Sequence, residues 1–211
     1  KKGREDYILF TNPDKPSLWN DIKTASYSAV IGTLIADSGS VRGITVSNNY
    51  DTPYRCYATE TMKDRIIKFD WNGVTTCTSA VIYDSTHLDW IDNEIELYDP
   101  KGIAIDDNPS RNKLWVSDSL NNRIVAFDAT TGSYVQMISA LNVADPQDLV
   151  VNSNGDLFVS DKGNNRIRKY DINGNEYAGW PVGEFGNGGA LGGAPDLKAP
   201  TGIALDSQGN I

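Results

Sequence analysis

The stretch LWVSDSLNNRIVAFD (residues 114–128) returns as LFVSDKGNNRIRKYD (residues 157–171). Ser-Asp and Asn-Asn-Arg-Ile hold the same places in both copies, so the chain is built from a repeated unit whose edges decide the fold. Each copy follows a second shared element, PKGIAIDDNPSRNK before the first and PQDLVVNSNGD before the second. PTGIALDSQGNI (residues 200–211) repeats that element. An earlier, more worn copy spans residues 41–73, with Glu60, Arg65, Phe69 and Asp70 in the places of Asp118, Arg123, Phe127 and Asp128. Anchored on Gly43, Gly102, Asp148 and Gly202, the spacings are 59, 46 and 54 residues, close to the roughly 40–50 residues of a propeller blade.

Within the unit, GIAI (102–105), LWVSD (114–118), RIVAFD (123–128) and SYVQMI (133–138) are short runs rich in β-branched and aromatic residues. Turn signals such as Asn72-Gly73, Asn154-Gly155 and Asn173-Gly174 divide the runs of the unit and its copies, which is the pattern of hairpin-linked strands. The runs are apolar at nearly every position, so both sheet faces must be covered, as they are when blades stack around an axis. The expected fold is all-β: a β-propeller of four-stranded antiparallel blades.

These residues resemble NHL-repeat β-propellers, whose pattern is a Pro-x-Gly-Ile-Ala-Val-Asp opening, a Gly-Asn turn, a Tyr-Val-Ala-Asp strand and Asn-Asn-Arg-Ile. The resemblance covers residues 42–211 and is strongest over 100–171 and 200–211; at 42–82 Glu60 stands for the family's Asp and Lys63-Asp64 for Asn-Asn. It implies a fold and a habit of binding rather than a reaction. The expected organisation is a single propeller domain over 1–211, with a degenerate blade at 7–35, repeats at 42–82, 100–138 and 146–180, and a partial repeat at 200–211. About four blades can be counted, and the reading favours a part of a larger ring over a small ring closed by the last strand.

Asp118 ends one strand and Arg123 begins the next, so the turn between them brings carboxylate and guanidinium to one rim, where a bidentate pair can lock the hairpin and its neighbour. Asp161 with Arg166, and Glu60 with Arg65, repeat the arrangement. A catalytic group needs no copy in every blade, so these pairs read as structural.

In a four-stranded antiparallel blade, the turn from second to third strand and the link to the next blade emerge on one face. The long inserts, 83–99 and 181–199, fall there. The first, YDSTHLDWIDNEIELYD, carries Asp84, Asp89, Asp92, Glu94, Glu96 and Asp99 and no Lys or Arg. Oxygen ligands in a loop suit Ca²⁺, but no Asp-x-Asp-x-Asp-Gly spacing appears, and a solvated acidic loop is the preferred reading. No cofactor is expected, with Ca²⁺ the cation the segment would suit; whether it holds a metal is open. DINGNE (171–176) has its Gly misplaced for a calcium loop and reads as a hairpin turn. Trp90 and Trp180 are candidate anchors for a partner on the insert-bearing face; burial between blades is the competing reading.

His87 is the single histidine. The broader propeller group includes an amidating lyase that holds zinc through several histidines and lactonase-like hydrolases with a central Ca²⁺; the first needs more imidazoles than this chain owns. No catalytic set is assigned. Cys56 and Cys77 fall in a second and a fourth strand, too far apart for a disulfide within a flat blade.

The chain has 211 residues, 39% of them hydrophobic, and a formal net charge of -9. That field repels polyanions, which argues against nucleic acid as a partner; the densest basic cluster, Arg166, Arg168 and Lys169, reads as paired strand charge. No apolar run approaches the roughly 18–20 residues of a membrane span. The functional expectation is a non-enzymatic scaffold for protein binding or self-assembly, presenting loops 83–99 and 181–199, in an extracellular or periplasmic setting. Its interaction residues would be Asp84, His87, Asp89, Trp90, Asp92, Glu94, Glu96 and Trp180. The alternative is a calcium-dependent hydrolase or lyase with its remaining ligands in further blades.

Overall fold

The computed structural model describes residues 41–47, 54–71, 77–139, 143–177, 184–185, 197–206, 208–209 and 211. The blade expected at 7–35, most of loop 181–199 and Trp180 lie outside these residues. The described strands are β1 (Val41–Val46), β2 (Tyr54–Glu60), β3 (Arg65–Trp71), β4 (Cys77–Tyr83), β5 (Pro100–Asp106), β6 (Lys113–Asp118), β7 (Arg123–Asp128), β8 (Tyr134–Ile138), β9 (Pro146–Val151), β10 (Leu157–Asp161), β11 (Arg166–Tyr170) and β12 (Glu184–Phe185). They form three four-stranded sheets, each ordered as its strands follow in the chain, and every pairing is antiparallel. These are the blades of a β-propeller.

The first strands of successive blades lie side by side, and glycine lets them approach. A Cβ on Gly43 would stand 2.3 Å from the Lys101 carbonyl oxygen, and one on Gly102 would stand 2.7 Å from Asp148 Cα. Only glycine fits such a backbone-to-backbone contact. Hydroxyls then clip neighbouring blades: Thr59 donates to the Lys101 carbonyl at 2.5 Å, Thr61 to the Pro100 carbonyl at 2.7 Å, and Ser119 to the Pro146 carbonyl at 2.5 Å.

Because both faces are covered, the sheets are apolar on both. One cluster, with Tyr57, Ile66, Tyr83, Trp90, Val116 and Phe127, fills the space between the first two blades. Another, with Trp115, Ile124, Leu149, Val159 and Tyr170, fills the space between the second and third. The polar middle of the repeat is thereby left to the strand ends, where turns carry it.

Cys56 pairs with Phe69 and Cys77 with Trp71, so the whole of β3 separates the two backbones.

Candidate functional site

The repeated acid is a hub within each blade. Asp118 is fully buried and accepts three donors: the Tyr98 N–H at 2.7 Å, Asn121 Nδ2 at 2.9 Å and Arg123 Nε at 2.6 Å. Burial outweighs the pull of these donors and holds its carboxyl above the usual carboxylate range. Asp161 repeats the arrangement with the Ala144 N–H at 2.7 Å, Asn164 Nδ2 at 2.9 Å and Arg166 Nε at 2.7 Å. In the first blade Glu60 pairs with Arg65 and lies 3.4 Å from Lys63.

The expected bidentate geometry is corrected here. Each Asp gives one oxygen to the arginine and the other to a backbone N–H of the preceding linker, so the pair fastens the hairpin to that linker. In the second blade the guanidinium's Nη2 goes on to the Glu96 carbonyl at 2.7 Å.

The second Asn of Asn-Asn-Arg has its own task. Asn122 and Asn165 adopt left-handed φ values of 52° and 57°, and Asp64 does the same at 51°; short polar side chains tolerate this conformation best. Their side-chain oxygens accept the N–H of Asp145, Ala199 and Asp99 respectively, at 2.8–2.9 Å. Each turn thereby holds the segment that enters the next blade's first strand. The departure at Asp64 from the repeat's Asn costs nothing in this role, since the carboxylate also accepts.

Segment 83–99 is anchored as a wedge by its apolar residues, while Asp92, Glu94 and Glu96 remain solvated. It contains a one-turn helix, α1 (Leu88–Asp92). Trp90, a candidate anchor with burial as its competing reading, is fully buried, stacks on Phe127 with ring centroids 4.6 Å apart and donates from Nε1 to the Gly132 carbonyl at 2.7 Å. That location removes it from any contact with a partner. Ile95 and Leu97 are buried beside it.

The turn at 129–132 is gripped from the first blade and from the wedge. Tyr57 donates to the Ala129 carbonyl at 2.6 Å, Lys68 to the Thr130 carbonyl at 2.9 Å, and His87 Nε2 lies 3.3 Å from the Thr131 carbonyl. Asp128 shapes this turn by accepting the Thr130 and Thr131 N–H groups at 2.9 and 2.8 Å. Burial pushes the Asp128 carboxyl up, but the Thr131 and Thr130 donors and Asn112 outweigh it and hold it below the usual range. Sequence reasoning missed this socket; Asp-Ala-Thr-Thr-Gly was its only signal.

The expected interaction residues divide accordingly. Asp84 caps its own turn, accepting the Thr86 N–H and hydroxyl at 2.9 and 2.6 Å, and the hydroxyl bond is the main reason its carboxyl sits low. Asp89 accepts the Tyr134 N–H, which pins α1 to the start of β8. His87 packs edge-on to Tyr83 at 5.8 Å. Asp92, Glu94 and Glu96 are exposed. Among the described residues no three His, Cys, Asp or Glu side chains gather as a metal site. The 171–176 turn uses its carboxylate internally: Asp171 accepts the Asn173 and Asn175 N–H groups, each at 2.8 Å.

The basic cluster is paired throughout: Arg166 with Asp161, Arg168 with Glu176 and Lys169 with Asp156. No helix among the described residues is long and apolar enough to cross a membrane.

Comparison with known proteins agrees with this architecture. No curated protein matches the sequence. A streptogramin B lyase structure aligns over 82% of this chain and 47% of its own, with 16% identity and a TM-score of 0.55. A candidate 6-phosphogluconolactonase from Bacteroides uniformis aligns over 80% and 45%, with 16% identity and a TM-score of 0.52. The chain thus spans about half the length of these structures, and at this identity the likeness is one of fold. Residues 143–170 match the model of the NHL repeat, the third described blade with its Asp161–Arg166 hub. The chain is a β-propeller that carries an NHL repeat.

Proposed function

We propose that this propeller is a non-catalytic scaffold that binds a protein partner through the face bearing its inter-blade segments. One observation carries the reading. The polar residues repeated from blade to blade are occupied in holding the blades together, whereas the irregular segment 83–99 is anchored through Trp90 and turns Asp92, Glu94 and Glu96 to solvent. A rigid frame with a divergent, exposed segment suits recognition. The formal charge of -9 weighs against polyanionic partners and favours a protein with a basic surface. An extracellular or periplasmic location belongs to the same proposal and is tested by fractionating the source cells.

The test of function is turnover. The purified protein is assayed against lactone and ester panels with added Ca²⁺ and with chelator. A binding scaffold gives no turnover above the buffer rate in either condition. Calcium-dependent hydrolysis that chelator abolishes and calcium restores would overturn the proposal in favour of a propeller hydrolase.

A further inference from the structure

The wedge has an outer side with its own character. Leu88 and Ile91, one helical turn apart on α1, are 78% and 55% exposed, while Trp90 between them points inward. The Asp89 carboxylate holds the Tyr134 N–H, so α1 abuts β8, the edge strand of the second blade. Val135 and Met137 on that strand are each 42% exposed. Met137 pairs with Val125, and Val125 belongs to the cluster that contains Trp90. Met137 therefore stands on the sheet face that carries the wedge. Three large apolar side chains, Leu88, Ile91 and Met137, are exposed on the wedge and the sheet face that carries it, and the wedge's own exposed acids, Asp92, Glu94 and Glu96, have no Lys or Arg in their segment.

Isolated apolar residues on a surface need no explanation, but a grouped set beside a charged rim marks an interaction site. The occupant follows from charge complementarity. We infer that the α1–β8 corner docks a segment of a partner protein that combines apolar with basic side chains; this deepens the scaffold reading and rests on it. Leu88, Ile91 and Met137 supply the apolar contact, and the acidic rim steers the encounter and rejects acidic segments. The corner is rigid because Trp90 is fixed on both ring face and Nε1, so little ordering accompanies binding.

The experiment is fluorescence anisotropy with three labelled dodecapeptides of alternating composition: Lys/Leu, Glu/Leu and Lys/Ser. Only Lys/Leu should bind, with affinity falling as salt rises. Leu88→Ser with Ile91→Ser should weaken it at least about tenfold, with the melting temperature unchanged because both side chains are exposed. Asp92→Asn, Glu94→Gln and Glu96→Gln together should remove most of the salt dependence. Equal binding to the parent and the Leu88/Ile91 variant overturns the corner as the site, and if Met62→Ser with Leu120→Ser abolishes it instead, the scaffold reading stands with its surface elsewhere. No binding of Lys/Leu, or equal binding of Glu/Leu, overturns the partner chemistry. Lactone or ester turnover sinks the scaffold reading whatever the peptides do.

Discussion

Asp118→Ala tests the hub directly. The substitution takes away the acceptor for the Tyr98 N–H, Asn121 Nδ2 and Arg123 Nε inside a site where the carboxylate is 0% exposed and the arginine side chain 17%. Removing one partner of a buried ion pair costs about 3–5 kcal/mol, chiefly because the other charge is stranded. The arginine's residual exposure, and its second bond to the Glu96 carbonyl, place the expected loss near the lower end, about 3 kcal/mol. With a urea m-value of about 3 kcal/mol/M, the midpoint should fall by about 1 M, read by tryptophan fluorescence. Asp118→Asn keeps the shape and one acceptor and should lose about half as much. Asp161→Ala should match Asp118→Ala, because the copies are geometrically alike. A midpoint within about 0.3 M of the parent would refute the hub, since that shift corresponds to roughly 1 kcal/mol.

The inter-blade glycines should differ sharply among themselves. Gly43→Ala and Gly102→Ala drive a Cβ into backbone and should each cost about 2 kcal/mol or more. Gly202→Ala, with nothing within 4 Å of its Cβ, should stay within about 0.5 kcal/mol; equal losses at all three, by urea titration, would contradict the stacking argument. Trp90→Ala should lower stability by about 3–5 kcal/mol, and a neutral result would return Trp90 to the surface. Asp148 occupies the glycine position of the third blade, where it accepts the Ile203 and Leu149 N–H groups at 3.2 and 2.9 Å, and burial pushes its carboxyl up against those bonds. A raised acid contributes stability below its unfolded pKa of about 3.9 that is lost as pH rises through the folded value. The parent should therefore lose stability relative to Asp148→Asn as pH rises from about 4 to 7.5 in paired thermal melts; a difference independent of pH would show that the carboxyl is not raised.

Much of this protein is legible in its amino-acid sequence. Short apolar runs, Asn-Gly turns and a unit of blade length follow from local chain chemistry, so the all-β class and the blades can be read directly. The Asp–Arg pairing is also visible, because its partners stand five positions apart and a tight turn leaves them few other places to go. Its second acceptor contact is not, since Tyr98 lies twenty residues from Asp118 and backbone N–H groups carry no sequence signal. The same reason explains Trp90. An acidic segment with one tryptophan reads alike whether the ring meets solvent or a partner's pocket, or stacks on Phe127 and bonds the carbonyl of Gly132, forty-two residues away. Sequence alone determined the repeated unit, its turns and its charge, because those depend on neighbours within a few residues. Only the tertiary structure decided which side of the wedge is core and which is exposed, because burial depends on what another blade brings to the same space.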